Sequence, residues 1–349
     1  MGPSAHAVER EVRAMKPLET RQIGKTGLKV TVLGLGGAAL GGLYADVPAK
    51  AASDSVRRAL DLGIRYIDTA PQYGYGKSEM FIGEALRGVK RDSFVISTKV
   101  GRVLEPVRGK RTRTYADDTF KNLPPFQPRF DDTRKGVLKS LDDSLKRLKL
   151  DRADIVLIHD PNERWHQYDR IIGEAYPTLA ELRSQSKVKA IGCGLNHAGD
   201  AEPFIRDGEF DCFLIAGRYT LLEHSALWDV LPLCQKKGIS VILGGPYNSG
   251  VLASDLSEGA KFHYLNAPYH VLAKAQRIKA VCDRYRVPLK AAALQFGLAH
   301  PAVAATIPGA RTPDEVEDNV RMVQHPIPRD LWAELKHEDL IPEQAPTPK

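Results

Sequence analysis

Four side chains able to move a proton stand at or near the tails of three short apolar runs. "YIDTAPQYG" supplies Asp68 and then Tyr73, "VISTK" ends on Lys99, and "IVLIHD" ends on His159 and Asp160. An ionised carboxylate and ammonium on strand tails are costly to bury singly, so Asp68 and Lys99 are expected to pair. A lysine ammonium beside a phenol favours the phenolate, which is expected to draw the Tyr73 pKa down from about 10. A tyrosine tuned in this way passes a proton to or from a hydroxyl during carbonyl chemistry, while His159 hydrogen-bonds the reacting oxygen. A Schiff base on Lys99 is the competing chemistry. Taken singly, each residue is an ordinary cap or surface charge; the set is informative only if one face gathers all four.

The elements that must do the gathering alternate along the chain. Apolar β-type runs occur at Val32–Leu35, Tyr66–Asp68, Phe94–Lys99, Asp154–His159, Lys189–Cys193, Asp211–Ile215, Ser240–Leu243 and Ala304–Ile307. Helical patterns separate them, among them Ala49–Leu62, Ser78–Leu86, Tyr176–Ser184, Ala226–Lys236, Leu272–Arg286 and Leu289–His300. In "TRKGVLKSLDDSLKRLKL" the spacing places Val137, Leu138, Leu141, Leu145 and Leu148 on one face. Eight strands, each followed by a helix, predict a parallel (β/α)8 TIM barrel, in which strand ends converge around one catalytic face. An N-terminal β-hairpin turning at Gly24–Gly27 is expected to plug the barrel's bottom. After the third strand, residues 101–130 form a long Pro-, Arg- and Asp-rich loop without periodicity, which reads as a lid over that face.

One motif points elsewhere. "VLGLGGAALGG" matches the Gly-x-Gly-x-x-Ala dinucleotide fingerprint of a Rossmann fold. In that fold the glycine turn opens directly into a helix. Here Leu43 to Pro48 intervene, and the next acidic strand end, Asp68, comes too late. The match is a decoy: the stretch reads as the first barrel strand and its loop.

Composition narrows the function classes. The 349 residues carry a net charge of +7, and the one dense basic run, Arg108, Lys110, Arg111 and Arg113, reads as a solvated loop rather than a nucleic-acid site. Cys193, Cys212, Cys234 and Cys282 are widely spaced, as buried thiols of a cytoplasmic protein would be. No apolar run reaches the roughly 18 residues of a membrane span, and no metal-ligand spacing is present. The polar start is not a secretory signal and reads as a disordered tail.

"YIDTAPQYG", "STK" and "LIHD" resemble the aldo-keto reductases, from about Leu18 to Leu340. The resemblance implies a tail at 1–17, a barrel over 18–340 and a second tail at 341–349. It implies NAD or NADP bound in extended form and a tetrad of Asp68, Tyr73, Lys99 and His159, with tyrosine as proton donor or acceptor. "VAATIPGARTPDEVEDN" implies the adenosine phosphate near the loop after the eighth strand. Implied cofactor contacts are Gly36, Gly37, Asn196, Gly244, Gly245, Tyr247, Ser249, Gly250, Ile307, Gly309, Ala310, Arg311, Glu315, Asp318 and Asn319.

"FDCFLIAGRYTLLE", "GGPYNSGVL" and "AAALQFGLAHPAV" are similar to a narrower branch, the D-threo-aldose 1-dehydrogenases and L-fucose or L-galactose dehydrogenases, near pyridoxal 4-dehydrogenase. The chain departs from the family pattern at Leu195-Asn196, at Ala216 and at Gly244-Gly245-Pro246. The nicotinamide's usual aromatic partner is therefore missing, and Tyr219 or Tyr247 is the expected substitute. Gly309 and Glu315 stand where NADP-preferring relatives carry a base, and Asp314 adds a second negative charge, which favours NAD, although Arg311 is near and Thr312–Glu315 is also a capping box. The expected substrate is a small sugar or aldehyde. Aldose C1 oxidation to a lactone leads, with Tyr44, Asp160, Asn248 and His263 in loops able to hold hydroxyls. An aldehyde or ketone reductase, including one acting on pyridoxal, is the alternative, and a nucleotide-sensing regulatory subunit is another. A monomer or small homo-oligomer is expected, with neither nucleic acid nor membrane as a partner.

Overall fold

The computed structural model describes residues 18–109 and 119–349. The expected tail at 1–17 and the basic residues Lys110, Arg111 and Arg113 lie outside the described residues. In chain order the strands are β1 (Thr20–Gln22), β2 (Lys29–Thr31), β3 (Leu35–Gly36), β4 (Tyr66–Asp68), β5 (Val95–Val100), β6 (Arg102–Pro106) and β7 (Phe126–Phe130). They continue as β8 (Ile155–His159), β9 (Ala190–Leu195), β10 (Cys212–Ala216), β11 (Ser240–Gly244), β12 (Lys261–Phe262), β13 (Leu265–Asn266) and β14 (Val303–Ile307). Strands β3, β4, β5, β8, β9, β10, β11 and β14 form one eight-stranded sheet in that order, with every pairing parallel. The sheet closes on itself: Gly34 N–H donates to Thr306 O at 2.9 Å, Thr306 N–H to Val32 O at 2.8 Å, and Gly36 N–H to Pro308 O at 2.9 Å. This is the expected TIM barrel.

Strands in a barrel of this kind are buried on both faces, which is why they read as unbroken apolar runs rather than as alternation. Their inward side chains, among them Tyr66, Ile155, Leu157, Ala190, Cys212, Leu214, Ile242 and Ala305, pack into one interior cluster. The same cluster takes in Ile23, Leu28 and Val30 from the β1–β2 hairpin, so the hairpin closes one end of the barrel as expected.

The glycine-rich stretch has a packing role. A Cβ on Gly36 would lie 2.7 Å from Ile307 O, and one on Gly37 2.6 Å from Asp68 O. Both positions sit where the first strand must approach its neighbours across the seam, and no helix follows until α1 (Ala49–Asp61).

The longer helices that follow among the described residues are α2 (Lys77–Ala85), α3 (Arg134–Leu148), α4 (Tyr176–Ser184), α5 (Ala201–Asp207), α6 (Val230–Lys237), α7 (Tyr269–Arg284), α8 (Leu289–Leu298), α9 (Pro313–Gln324) and α10 (Arg329–His337). Helix α3 starts where Thr133 Oγ1 accepts from Gly136 N–H at 3.1 Å, and it buries Val137, Leu141 and Leu148. Each such side chain contributes about 1.5–3 kcal/mol when fully removed from water. Leu138, expected on that face, is exposed, because the buried stripe is narrower than the sequence pattern. The short α5 and the late α10 have no counterpart among the sequence-derived helices. Downstream of α10, Ile341 and Ala345 are buried against the core, so the closing segment packs onto the barrel. No described helix is long and apolar enough to cross a membrane.

The segment after β5 is not structureless. β6 and β7 pair antiparallel, Arg102 opposite Phe130 and Pro106 opposite Phe126, and form a hairpin whose foot stands beside the tail of β5. Two prolines inside these strands, Pro106 and Pro128, hid them, since proline normally argues against a strand.

Candidate active site

Register brings the first two charges together. Asp68 pairs with Ser97 across β4 and β5, so Ser97 and Lys99, two residues apart, lean to the same side of the sheet as Asp68. Lys99 Nζ donates to Asp68 Oδ2 at 2.7 Å, to Thr69 O at 2.9 Å and to Tyr73 Oη at 3.1 Å. Ser97 Oγ donates to the other oxygen, Asp68 Oδ1, at 2.6 Å. The pair is 1% exposed on both sides, and every lone pair and proton it offers needs such a partner to be tolerable there. Tyr73 lies in the turn after β4. Its ring stacks at 26° on Phe120, meets His159 edge-on at 5.8 Å between centroids, and has Lys99 Nζ 4.5 Å from its centre. Four residues from three strand ends thus meet around one phenol.

The electrostatics correct one expectation. Tyr73 is not drawn down by Lys99. Burial pushes its pKa well above 10, the carboxylates of Asp68 and Asp160 push it further, and only the Arg102 charge opposes them. Burial decides the direction, and the Asp68 carboxylate, bonded to Lys99 at 2.7 Å, offsets the pull of the ammonium. Near neutral pH Tyr73 is therefore a protonated phenol. His159 is held well below its usual pKa by burial, then by the cationic charges of Arg102, Lys99 and Arg164. It stands as a neutral imidazole, a donor or acceptor but not a charge.

Asp160, directly after the histidine, is raised to about 6 by burial and by Glu163, against the pull of Arg102. Arg102 Nη2 donates to Asp160 Oδ2 and to Glu163 Oε2, both at 2.8 Å, and its guanidinium carbon lies 4.7 Å from the Phe130 ring centre. Arg102 lines the cavity and was missed in the sequence, because it opens a hairpin that the prolines concealed.

Asp68, Tyr73, Lys99, Arg102, His159 and Asp160 border one cavity of about 560 Å³, a size that suits a small ligand with the reactive half of a larger one. Of the expected contacts, Gly36, Gly37, Asn196, Gly244, Gly245, Ser249, Ile307 and Gly309 line it, together with Tyr44 and Asp160. The others do not. Tyr247 donates to Asn319 Oδ1 at 2.7 Å, under Lys290 Nζ at 5.5 Å from its ring centre. Asp318 pairs with Lys290 and Arg321, Ala310 is buried, and Gly250 sits in an irregular turn. Asn248 is buried against Thr220 and Gly217 O, and His263 faces Arg218 at 3.0 Å. Tyr219, offered as a stacking partner, is buried against Phe296 and His300. The aromatic rings that do line the cavity are Tyr44, Tyr73, Phe120, Phe130 and Tyr264.

The residues present fit a nicotinamide nucleotide. At or just past the ends of strands β9, β11 and β14, Gly194, Gly244, Gly245 and Gly309 leave bare backbone on the cavity wall beside Asn196. A Cβ on Gly194 would come within 3.4 Å of Lys99 Cε, filling space next to the tetrad. At the start of α9, Arg311 and Glu315 lock together, with Nη2 to Oε1 at 2.7 Å and Arg311 N–H to Oε2 at 2.8 Å, while Thr312 caps the helix.

Comparison with known proteins agrees with this arrangement. Pyridoxal 4-dehydrogenase of Microbacterium luteolum is 39% identical over 342 residues, covering 94% of this chain and 99% of the relative. D-threo-aldose 1-dehydrogenase of a Pseudomonas species is 36% identical over 318 residues, covering 90% and 96%. L-galactose dehydrogenase of Arabidopsis thaliana is 30% identical, covering 88% and 89%. The holo form of an aldo-keto reductase from Bacillus halodurans superposes with a TM-score of 0.73 over 94% of this chain and 99% of that one, at 24% identity, and shares the fold. The Aldo/keto reductase family profile matches residues 32–339. With its barrel, its tetrad and that match in hand, the chain belongs to the aldo/keto reductase family and is an oxidoreductase.

Proposed function

We propose that this protein oxidises the hydroxyl of a cyclic hemiacetal, the anomeric C1 hydroxyl of an L-fucose-, L-galactose- or D-threo-type aldose, to a lactone. The observation that carries the reading is the Tyr73 hydroxyl, held at 3.1 Å by Lys99 on the wall of a cavity that also presents neutral His159. A bound nicotinamide supplies the hydride acceptor. The protein's share is the proton: the substrate O–H gives its proton to deprotonated Tyr73 as the C1–O bond becomes a carbonyl. His159 holds the same oxygen by a hydrogen bond, and the buried Asp68–Lys99 pair fixes where the phenol oxygen stands. In the reverse direction protonated Tyr73 donates.

The aromatic walls favour a second substrate for the same chemistry. Tyr44, Phe120, Phe130 and Tyr264 offer flat faces to a ring. Pyridoxal, which a 39% identical relative is named for, closes through its neighbouring hydroxymethyl group to a cyclic hemiacetal. Both readings therefore share one reacting group. The test is a panel of L-fucose, L-galactose, pyridoxal and a simple aromatic aldehyde with NAD and NADP in both oxidised and reduced forms, followed by absorbance and identification of the lactone. Lactone formation from a hemiacetal substrate is expected; turnover confined to aldehyde reduction sinks the reading.

We infer a preference for NAD, because Arg311 is already engaged by Glu315 and is not free to grip a 2′-phosphate. Tryptophan-fluorescence titration is expected to show tighter NAD binding, and Glu315→Gln, which releases Arg311, to improve NADP binding relative to NAD by about tenfold. Equal affinities that do not respond to this substitution would remove the argument.

The raised phenol also fixes a pH dependence. Oxidation needs Tyr73 without its proton, so below its pKa the competent fraction grows about tenfold per pH unit. Oxidation is expected to accelerate as pH rises from 7 towards 10, whereas reduction, which uses the protonated phenol, stays level or declines. Profiles of kcat/KM in both directions check the sign.

A further inference from the structure

Arg164 belongs to none of the chemistry above, yet it is among the most deeply buried charges in the described residues, at 1% exposure. Every nitrogen of its fork donates. Nε donates to Asp132 Oδ2 at 2.6 Å and Nη2 to Asp132 Oδ1 at 2.9 Å, while Nη1 donates to His159 O at 3.1 Å and Asp160 O at 3.0 Å. Asp132 is equally buried. It stands just past β7, at the foot of the hairpin, where Asp131 N–H also donates to Gly101 O at 3.0 Å. Gly101, at φ +92°, lets the foot close: a Cβ there would lie 2.7 Å from Asp132 Oδ1 and 3.0 Å from Arg164 Nη2. The guanidinium carbon lies 4.3 Å from the ring centre of Phe130, a cavity-lining residue.

Two successive carbonyls that share one donor fix the peptide planes on both sides of Asp160. That residue has left-handed backbone, φ +43°, a conformation uncommon for a side-chain-bearing residue and helped by external support. Fixing the plane that follows His159 restrains the direction of its side chain. A purely apolar neighbour could fill the same space, but it could not bond either carbonyl. A lysine could bond the carbonyls but could not clamp Asp132 with two parallel bonds.

We propose that Arg164 is a positioning residue: through the carbonyls of His159 and Asp160 it aims the imidazole at the oxygen Tyr73 serves, and through Asp132 and Phe130 it ties that imidazole to the hairpin wall of the cavity. This rests on the reading of His159 as the group that holds the reacting oxygen. The charged and titratable groups facing that imidazole are Arg102, Lys99, Arg164, Asp160 at 3.4 Å and the Tyr73 phenol. Removing Arg164 thus takes away one of the cations that keep it neutral.

The experiment compares Arg164→Met, Arg164→Lys and Asp132→Asn with the parent protein, using kcat and KM against pH, melting temperature and nucleotide binding by tryptophan fluorescence. Imidazole NMR of the ligand-free protein, with His159 assigned through His159→Gln, adds a readout independent of turnover. Arg164→Met is expected to lose about 10²-fold in kcat, the penalty of a misplaced reacting group, while nucleotide affinity stays within about twofold. The His159 titration is expected to move to higher pH. Arg164→Lys, which keeps the charge, should restore that titration but not the full rate. Should Arg164→Met fail to fold, Arg164→Lys and Asp132→Asn carry the comparison through kcat at unchanged nucleotide affinity. A folded variant with parental kcat and titration overturns the proposal, as does a loss that follows melting temperature alone. Tyr73→Phe separates the two levels: if it retains activity the reading of the site falls, whereas if it is inactive and the Arg164 variants are unaffected only this inference falls.

Discussion

Tyr73→Phe is expected to lower kcat/KM by about 10²–10⁴-fold, the range in which positioned proton transfer contributes to rate. The substitution removes one oxygen. It leaves the ring stacked at 6.3 Å on Phe120 and keeps the buried Lys99–Asp68 bond, so neither folding nor nucleotide binding should change appreciably. Steady-state rates with the preferred hemiacetal substrate, alongside fluorescence titration of nucleotide, separate the two effects. Loss confined to kcat/KM supports Tyr73 as the proton-transferring group. Full turnover in the phenylalanine variant would mean that the proton moves elsewhere, and Asp160 or His159 would then have to be reconsidered.

The second large effect concerns stability as well as rate. Lys99→Met strands the Asp68 carboxylate, 1% exposed, with Ser97 as its remaining side-chain donor. Breaking a buried ion pair from one side costs about 3–5 kcal/mol, a large part of the net stability of most domains. Lys99→Met is therefore expected to melt well below the parent and to lose the oxidation reaction. Asp68→Asn together with Lys99→Met should recover much of the melting temperature, because no charge is left unpaired, while remaining inactive. Thermal denaturation of the single and double variants tests this directly. Equal melting temperatures for the parent and the single variant would show that the pair carries no such burden.

The barrel was legible because parallel strands buried on both faces write themselves as apolar runs; seven of the eight barrel strands lie within a residue or two of their runs, while β3 shares only Leu35 with its run. The tetrad was legible for the same reason, since charged residues at the tails of such runs have few other places to go. What escaped was set by neighbours distant in sequence. Pro106 and Pro128 masked the hairpin that carries Arg102 into the cavity. Tyr247, Asn248 and His263 are polar residues in or beside irregular segments like those that do line the cavity. Only the positions of Asn319, Thr220 and Arg218 decide that they turn away. The direction of the Tyr73 shift follows first from burial of its phenol and then from the carboxylates around it, which spacing cannot encode.

The hairpin of β1 and β2 makes the barrel a vessel with one doorway. With Ile23, Leu28 and Val30 stoppering the far end, nothing can pass through the interior. Two molecules held together in such a vessel obey a queue: the deeper one enters first and departs last. On the proposed chemistry, the proton collected by Tyr73 would leave on the side where the substrate arrived.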